Sequence, residues 1–488
     1  MNPYISLTIL VVYFGMLITV SIYTSKGADT NTFFTANRQS PWYLVAFGMI
    51  GTSLSGVTFV SVPGAVANIQ FSYFQVVIGY ILGYLVIGTV LMPLYYRMNL
   101  ISIYSYLEKR FGFWSYKTGS AFFLLSRTVG SAVRLYVAAQ VLQIALFKPL
   151  GVPFEMAVAI TILLIWIYTF KGGVKTIIVT DTLQTFFLIT AVILTIVLVS
   201  QELNLHGISD IWNTVQSSNY SKIFYWDTND PKNFFKQFFA GVFIAIVMTG
   251  LDQDLMQKNL TCKNIGEAQK NMFWFTVVLV IVNFLFLSLG ALLYVYAAAK
   301  GIPVTVKTDE FYPMLALNHL GMAVGITFLL GITAATYASS DSALTALTTA
   351  FCIDFMNIEK KAEAQRSTIK FWVHIGFSVV FYLVILIFNR LNSKEVITAV
   401  FDLAGYTYGP LLGLFSYGLF LKRPVKDRWV PFLCLMAPVL TYIINDNSAE
   451  WFNGYKFGFE RLIINGFIVF VGLWLLVDKK SDRLSASV

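Results

Sequence analysis

The sequence predicts an all-α integral membrane protein of about 13 transmembrane helices, and three observations carry that prediction. Of 488 residues, 57% are hydrophobic and only 12% charged, with a mean hydropathy of +0.70. A soluble globular chain carries roughly 25% charged residues. Apolar stretches of about 20 residues recur along the whole length, each able to cross a hydrocarbon core about 30 Å thick. The connections between them alternate in Lys and Arg density, as in a chain that passes back and forth across a bilayer.

The spans are expected at 4–24, 42–66, 73–96, 118–146, 152–170, 178–200, 235–256, 271–299, 318–352, 371–389, 395–421, 429–445 and 461–477. Segments 118–146, 271–299 and 318–352 exceed the minimum length, so they tilt, break or protrude. The first apolar segment follows Met1-Asn2-Pro3-Tyr4, without a basic leader or cleavage site, and is expected to be retained. With the N-terminus outside, the inner connections hold Lys26 and Arg38; Arg97, Lys109, Arg110 and Lys117; Lys171 and Lys175; Lys258, Lys263 and Lys270; Lys360, Lys361, Arg366 and Lys370; Lys422, Arg423, Lys426 and Arg428; and Lys479, Lys480 and Arg483. These are about 22 of the 34 basic residues, against about 10 outside, which predicts an odd number of spans with the C-terminus in the cytoplasm. The net charge of +9 then records orientation in a cell membrane and gives no reason to expect nucleic acid. One membrane domain, 1–488, is expected. The longest polar connection, 201–234, falls outside; it either packs on the outer mouth or is a solvated loop with interfacial aromatics.

Cys262, Cys352 and Cys434 are scattered, so no disulfide framework or metal spacing shows. His206, His319 and His374 are isolated, and only His374 sits well within a span, with no evident partner. A membrane enzyme would need a general base there, so catalytic residues are not expected. A channel is a further alternative, separated by flux that does not saturate.

Polar groups in hydrocarbon face a cavity or a partner. Four places stand out. Gly48 to Phe59 crowds three glycines and the hydroxyls of Thr52, Ser53, Ser55 and Thr58 into one span, which reads as a discontinuous helix with carbonyls free for a cation, or as a small-residue packing face. Ala334 to Thr345 surrounds Asp341 with hydroxyls, a hard-oxygen setting for a hard cation. Packing accounts for its Ser and Ala residues but not for a buried carboxylate. Asp181 begins a span after Lys171-Gly172-Gly173-Val174-Lys175, where it either serves a site or complements a helix dipole. Gly250-Leu251-Asp252-Gln253-Asp254 marks an unwound segment or a helix end. Arg127 and Arg134, seven residues apart, share a helical face, and each pairs with a carboxylate or meets an anionic solute.

At these residues the chain resembles the sodium:solute symporter family. Tyr168-Thr-Phe-Lys-Gly172-Gly173-Val-Lys followed by Thr180-Asp181-Thr-Leu-Gln184 is similar to the family's glycine-pair signature, with Val174 where Leu or Met is usual. Ser105-Tyr-Leu-Glu108-Lys-Arg110-Phe111 resembles its inner loop, and Ala404 to Phe415 its later glycine-rich helix. The resemblance implies a leucine-transporter-type fold: two five-helix inverted repeats, approximately 42–200 and 235–421, with one helix before them and two after. It implies sodium as the coupling ion, no other cofactor, a small-molecule solute and the lipid bilayer as partners, and no obligatory protein partner.

The resemblance also implies a common sodium site from backbone oxygens of Gly51, Leu54 and Ala335 and hydroxyls at 338 and 339. Ser339 supplies one; Ala338 cannot. A second cation site resembles Asp181, Asp341 and Ser342, and Asp341, a departure from the sialic acid carriers, is expected to make good the oxygen missing at Ala338. Ser53, Ser55 and Thr58 resemble solute-binding hydroxyls of the sialic acid carriers. Arg134 lies a few residues from their carboxylate-binding Arg. Asp252 stands near an Asn of the galactose carriers, where it suits sugar hydroxyls or a cationic group and disfavours an anion unless Arg134 offsets it. The reading is a sodium-coupled symporter of a sugar or sugar-like solute such as sialic acid; the alternative is an amino acid or carboxylate.

Overall fold

The structure, a computed structural model, describes residues 3–478 except 28, 171, 305, 392–395 and 422. Lys171, Lys394, Lys422, Lys479, Lys480 and Arg483 of the charge count lie outside the described residues. The helices are α1 (Pro3–Thr24), α2 (Trp42–Ser53), α3 (Gly56–Ile69), α4 (Tyr73–Arg97), α5 (Phe113–Phe147), α6 (Phe154–Thr169), α7 (Gly173–Glu202), α8 (Phe234–Gly250), α9 (Gln253–Asn259), α10 (Ile265–Ala299), α11 (Gly321–Asp354), α12 (Glu363–Leu391), α13 (Val396–Thr407), α14 (Gly409–Phe420), α15 (Asp427–Asp446) and α16 (Arg461–Leu475), with short helices in the connections. Among the described residues, eight helices are long and apolar enough to cross a membrane. The count is ten when the bent pairs α2–α3 (55°) and α8–α9 (68°) are each one span. The chain is a multi-pass, all-helical membrane protein.

Two helices begin before their apolar windows, for different reasons. α10 starts at Ile265 rather than 271: the Asn264 side chain accepts from Glu267 N at 2.9 Å, supplying a partner to an orphan donor of the first turn. α7 starts at Gly173 rather than 178. Gly173 has φ +52°, and a Cβ there would lie 2.5 Å from the Phe33 ring, so both conformation and packing require glycine. Asp181 is consequently two turns inside α7, beyond the reach of the helix dipole.

α7 and α11 run against each other at the centre, with α2 on one side of α7 and α5 beside α11. α4 and α8 approach so closely that a Cβ on Gly241 would lie 2.1 Å from Val76 O. His374 is not isolated: its ring nitrogens hydrogen-bond Thr169 Oγ1 (3.1 Å) and Thr348 Oγ1 (2.9 Å), bracing α12 against α6 and α11. The connection 201–234 contains a helix, Ile208–Ser217, and packs on helix ends. Phe71 N donates to Lys222 O, Gln70 Nε2 to Asn219 O, and Tyr220 lies against Tyr294.

Candidate functional site

The first helix break defines one wall of the site. Leu54 (φ −88°, ψ 74°) and Ser55 (φ −68°, ψ 173°) leave helical geometry, which takes carbonyls just before the break off the i to i+4 ladder. The glycine-and-hydroxyl run is thus a true interruption and not only a packing face. α11 crosses this break. A Cβ on Gly51 would lie 3.4 Å from Ala338 Cβ and 2.4 Å from Thr185 Oγ1, and one on Gly56 would lie 2.2 Å from Thr336 Oγ1. The expected sodium residues Gly51, Leu54, Ala335, Ala338 and Ser339 therefore gather where α2, α7 and α11 meet, all of them buried. Ser339 Oγ donates to Thr336 O at 3.0 Å, which leaves its lone pairs available. Beside them, Thr185 Oγ1 and Asp181 Oδ1 are buried oxygens without a hydrogen-bond partner among the described residues. Hard, unsatisfied oxygen is what a sodium ion needs.

The second cation set is brought into one buried polar cluster, but its members face different partners. Asp181 Oδ2 accepts from Lys258 Nζ and from Thr52 Oγ1 (2.9 Å). Asp341 accepts from Tyr168 Oη at 2.7 Å and from Ser342 N at 2.5 Å. Ser342 Oγ donates to Asp254. Asp341 thus has one hydrogen bond from the protein on each of its oxygens.

The second break, at Leu251 and Asp252, supplies the charges. Asp252 caps α9 by accepting from Asp254 N at 2.9 Å, accepts from Tyr408 Oη at 2.5 Å, and lies 3.7 Å from Arg127 Nη1. Arg127 pairs directly with Asp254. Both carboxylates are buried. The carbonyls freed by the break are not left bare: Tyr95 Oη donates to Gly250 O and Tyr104 Oη to Leu251 O, each at 2.9 Å. Gln253 exchanges hydrogen bonds with Ile103 N and Ile101 O, sealing α9 to the connection before α5.

Between the breaks lies a polar cavity of about 80 Å³, room for a few water molecules in this conformation. Ser53, Ser55 and Thr58 line it, with Thr52, Tyr73, Tyr80, Tyr84, Thr249 and Asn283. Arg134 and Arg127 line it too. Asp252 does not; it stands behind Arg127, whose charge it shares with Asp254. Arg134 makes no ion pair among the described residues, so the cavity faces one uncommitted guanidinium and no free carboxylate.

Lys258 is the buried charge at the candidate site that sequence reading misses. The charge count put it in an inner connection, yet its side chain is 2% exposed, at the centre of the α2–α7–α11 junction. Its spacing of four from Asp254 on a short helix was the available signal.

The geometry has counterparts. The chain is 26% identical over 429 residues to the sodium/sialic acid symporter NanT of Aliivibrio fischeri, covering 84% of this chain and 82% of that one. It is 23% identical over 480 residues to the sodium/sialic acid symporter SiaT of Proteus mirabilis (96% and 94%), and 23% identical to a putative sodium-dependent multivitamin transporter of Drosophila melanogaster (85% and 70%). Its fold matches the substrate-bound, outward-open structure of a Na+-coupled sialic acid symporter with a TM-score of 0.81 at 22% identity, covering 96% of this chain and 97% of that one. It also matches Mhp1, a nucleobase-cation-symport-1 transporter, with a TM-score of 0.53 at 13% identity (90% and 92%). The model of the sodium:solute symporter family matches residues 33–427, a range that holds both helix breaks, the Asp181 and Asp341 helices and the cavity. A chain whose interrupted helices and buried hard oxygens lie wholly within that match belongs to the sodium:solute symporter family.

Proposed function

We propose that this chain imports an anionic, hydroxyl-bearing solute of the sugar-acid kind together with sodium, by alternating access. As a family member it is a transporter and not an enzyme. The observation that carries the solute class is Arg134. Among the described residues it is the cation lining the cavity with no carboxylate at ion-pair distance, whereas Arg127 pairs with Asp252 and Asp254. Asp252, removed from the cavity wall, no longer argues against an anion. Ser53, Ser55, Thr58, Thr249 and Asn283 supply partners for several hydroxyls, and sialic acid, the solute in the names of two relatives, has both features.

Sodium, as cargo, would be held by Gly51, Leu54, Ala335 and Ser339, with Thr185 supplying the oxygen that Ala338 lacks. Such an ion ties α2 to α11 and closes the break around the solute. Coupling requires only that sodium bind the conformational states unequally. One sodium moved inward across about 100 mV releases about 2.3 kcal/mol. Three shorter apolar helices, α6, α14 and α16, bring the ten spans to thirteen. We take these as two inverted repeats, near 42–200 and 235–421, in a cell membrane with the N-terminus outside and the C-terminus in the cytoplasm. On that orientation the contacts around α9 close the cytoplasmic side.

The test is uptake of radiolabelled sialic acid into proteoliposomes with and without a sodium gradient, competed by galactose, an amino acid and a short monocarboxylate. Saturable, sodium-dependent uptake that sugar acids compete and galactose does not is expected. Arg134→Met should raise KM by about 10-fold or more, the loss of one charge-assisted hydrogen bond worth about 1.5–3 kcal/mol. Galactose transport that is indifferent to Arg134→Met would overturn the solute class.

A further inference from the structure

We propose that the Lys258 ammonium is a tethered cation that occupies the Asp181 site, so that this chain lacks the second sodium its carboxylates otherwise invite. Lys258 rises from α9 into a fully polar setting. Its Nζ donates to Asp181 Oδ2 and to Thr52 Oγ1, and Thr52 Oγ1 in turn reaches Asp181 Oδ2 (2.9 Å) or Ala338 O (3.3 Å). The ammonium therefore sits against Asp181, one of the three residues expected to hold a second ion, at the seam of α2, α7 and α11. Its side chain is 2% exposed and that of Asp181 0%, so neither charge is satisfied by water. A carboxylate and a hydroxyl gathered around one positive centre make the first shell of a small cation, here filled covalently from α9.

Charge balance gives the same answer. Asp181, Asp341 and Lys258 form one buried group, with Asp341 inside Coulombic reach of both others. With both carboxyls ionised, two carboxylates against one ammonium leave a single negative charge, which one sodium at the neighbouring Gly51–Ser339 site neutralises. A second sodium would leave the group positive in a low-dielectric interior, and uncompensated buried charge is strongly unfavourable. Removing Lys258 leaves two negative charges and room for two ions. The remaining unpartnered oxygens, Asp181 Oδ1 and Thr185 Oγ1, are then free for the first ion while Oδ2 passes from Lys258 to the second.

The tether has a mechanical consequence. α9 is the lower half of the second broken span, so the cation that holds Asp181 moves with that half. Where a free ion leaves its site by diffusion, this one leaves only when α9 swings.

The inference deepens the sodium reading above, and its test separates the two. 22Na+ bound per mole is counted on the purified full-length protein without solute, for wild type, Lys258→Met, Lys258→Arg and Asp181→Asn/Lys258→Met. Lys258→Met is expected to bind one sodium more than wild type, with a Hill coefficient rising from about 1 to about 2. Lys258→Arg should match wild type. The double variant, which deletes ammonium and carboxylate together, should return to the wild-type count. Two sodium ions in wild type, or an unchanged count in folded Lys258→Met, would overturn the tethered cation. The wild-type count and the double variant remain decisive if Lys258→Met does not fold. No sodium in wild type but one in Lys258→Met would instead overturn the common sodium site and leave the tether standing.

Discussion

The two broken spans look alike in outline and differ in chemistry. α2–α3 bends by 55° and α8–α9 by 68°. The first break has no charged residue of its own: Gly51, Thr52, Ser53 and Ser55 surround it. The charges that reach it, Asp181 and Lys258, both on Thr52, come from other helices, and Thr185 Oγ1 beside it has no partner among the described residues. The second carries Asp252, Asp254 and Lys258, and its Gly250 and Leu251 carbonyls are answered by Tyr95 and Tyr104. Unsatisfied oxygen beside small residues suits a hard cation. Satisfied carbonyls within a closed ion-pair network are a latch. The comparison assigns ligand affinity to the first break and conformational energy to the second, a division that mutation can break.

The largest effect should come from the latch. Arg127→Met leaves Asp252 and Asp254 buried without their cation, a change worth about 3–5 kcal/mol. Loss of folded protein on size exclusion, or a large fall in thermal stability in detergent, is expected. Because Arg127 contacts Asp254 directly and Asp252 at 3.7 Å, Asp254→Asn should rescue Arg127→Met better than Asp252→Asn does. Equal rescue would mean the network is not organised as the structure has it.

Glycine substitutions sharpen the contrast. A Cβ at Gly51 meets Thr185 Oγ1 at 2.4 Å, whereas one at Gly250 meets only apolar side chains, Leu91 Cδ1 at 2.6 Å and Ile87 Cγ1 at 2.8 Å. Overpacking costs about 1–3 kcal/mol. Gly51→Ala should raise the half-saturating sodium concentration several-fold, whereas Gly250→Ala should lower thermal stability and leave sodium affinity alone. The comparison fails if both variants shift sodium affinity equally.

Much of the first break was legible in the sequence and little of the second. Three glycines among four hydroxyls cannot make a strong helix, so Gly48 to Phe59 announced both the interruption and its polarity. Asp341 announced itself by being a carboxylate in an apolar span. Lys258 did not, because hydropathy cannot tell a charged loop from a short helix that folds back into the protein, and α9 has the composition of either. Asp252 suggested a solute contact because its partners, Arg127 and Tyr408, are 125 and 156 residues away, a pairing that only the fold reveals. His374 lacked a visible partner for the same reason, its two threonines lying on other helices.

The smallest effect tests whether the tyrosines matter to the latch. Tyr104→Phe removes one donor from Leu251 O while keeping the ring against Phe123 and Phe415. A buried carbonyl that loses its partner costs about 1 kcal/mol. If the second break is a hinge held shut by answered carbonyls, that cost falls on the closed state alone, and α9 opens about five times more often. Amide exchange should accelerate by that factor across Gln253–Asn259 and stay unchanged across Gly56–Ile69, while sodium affinity measured on the bound ion moves little. Exchange that rises equally in both segments would show a general loosening, and the two breaks would then be one cooperative unit rather than a site and a latch.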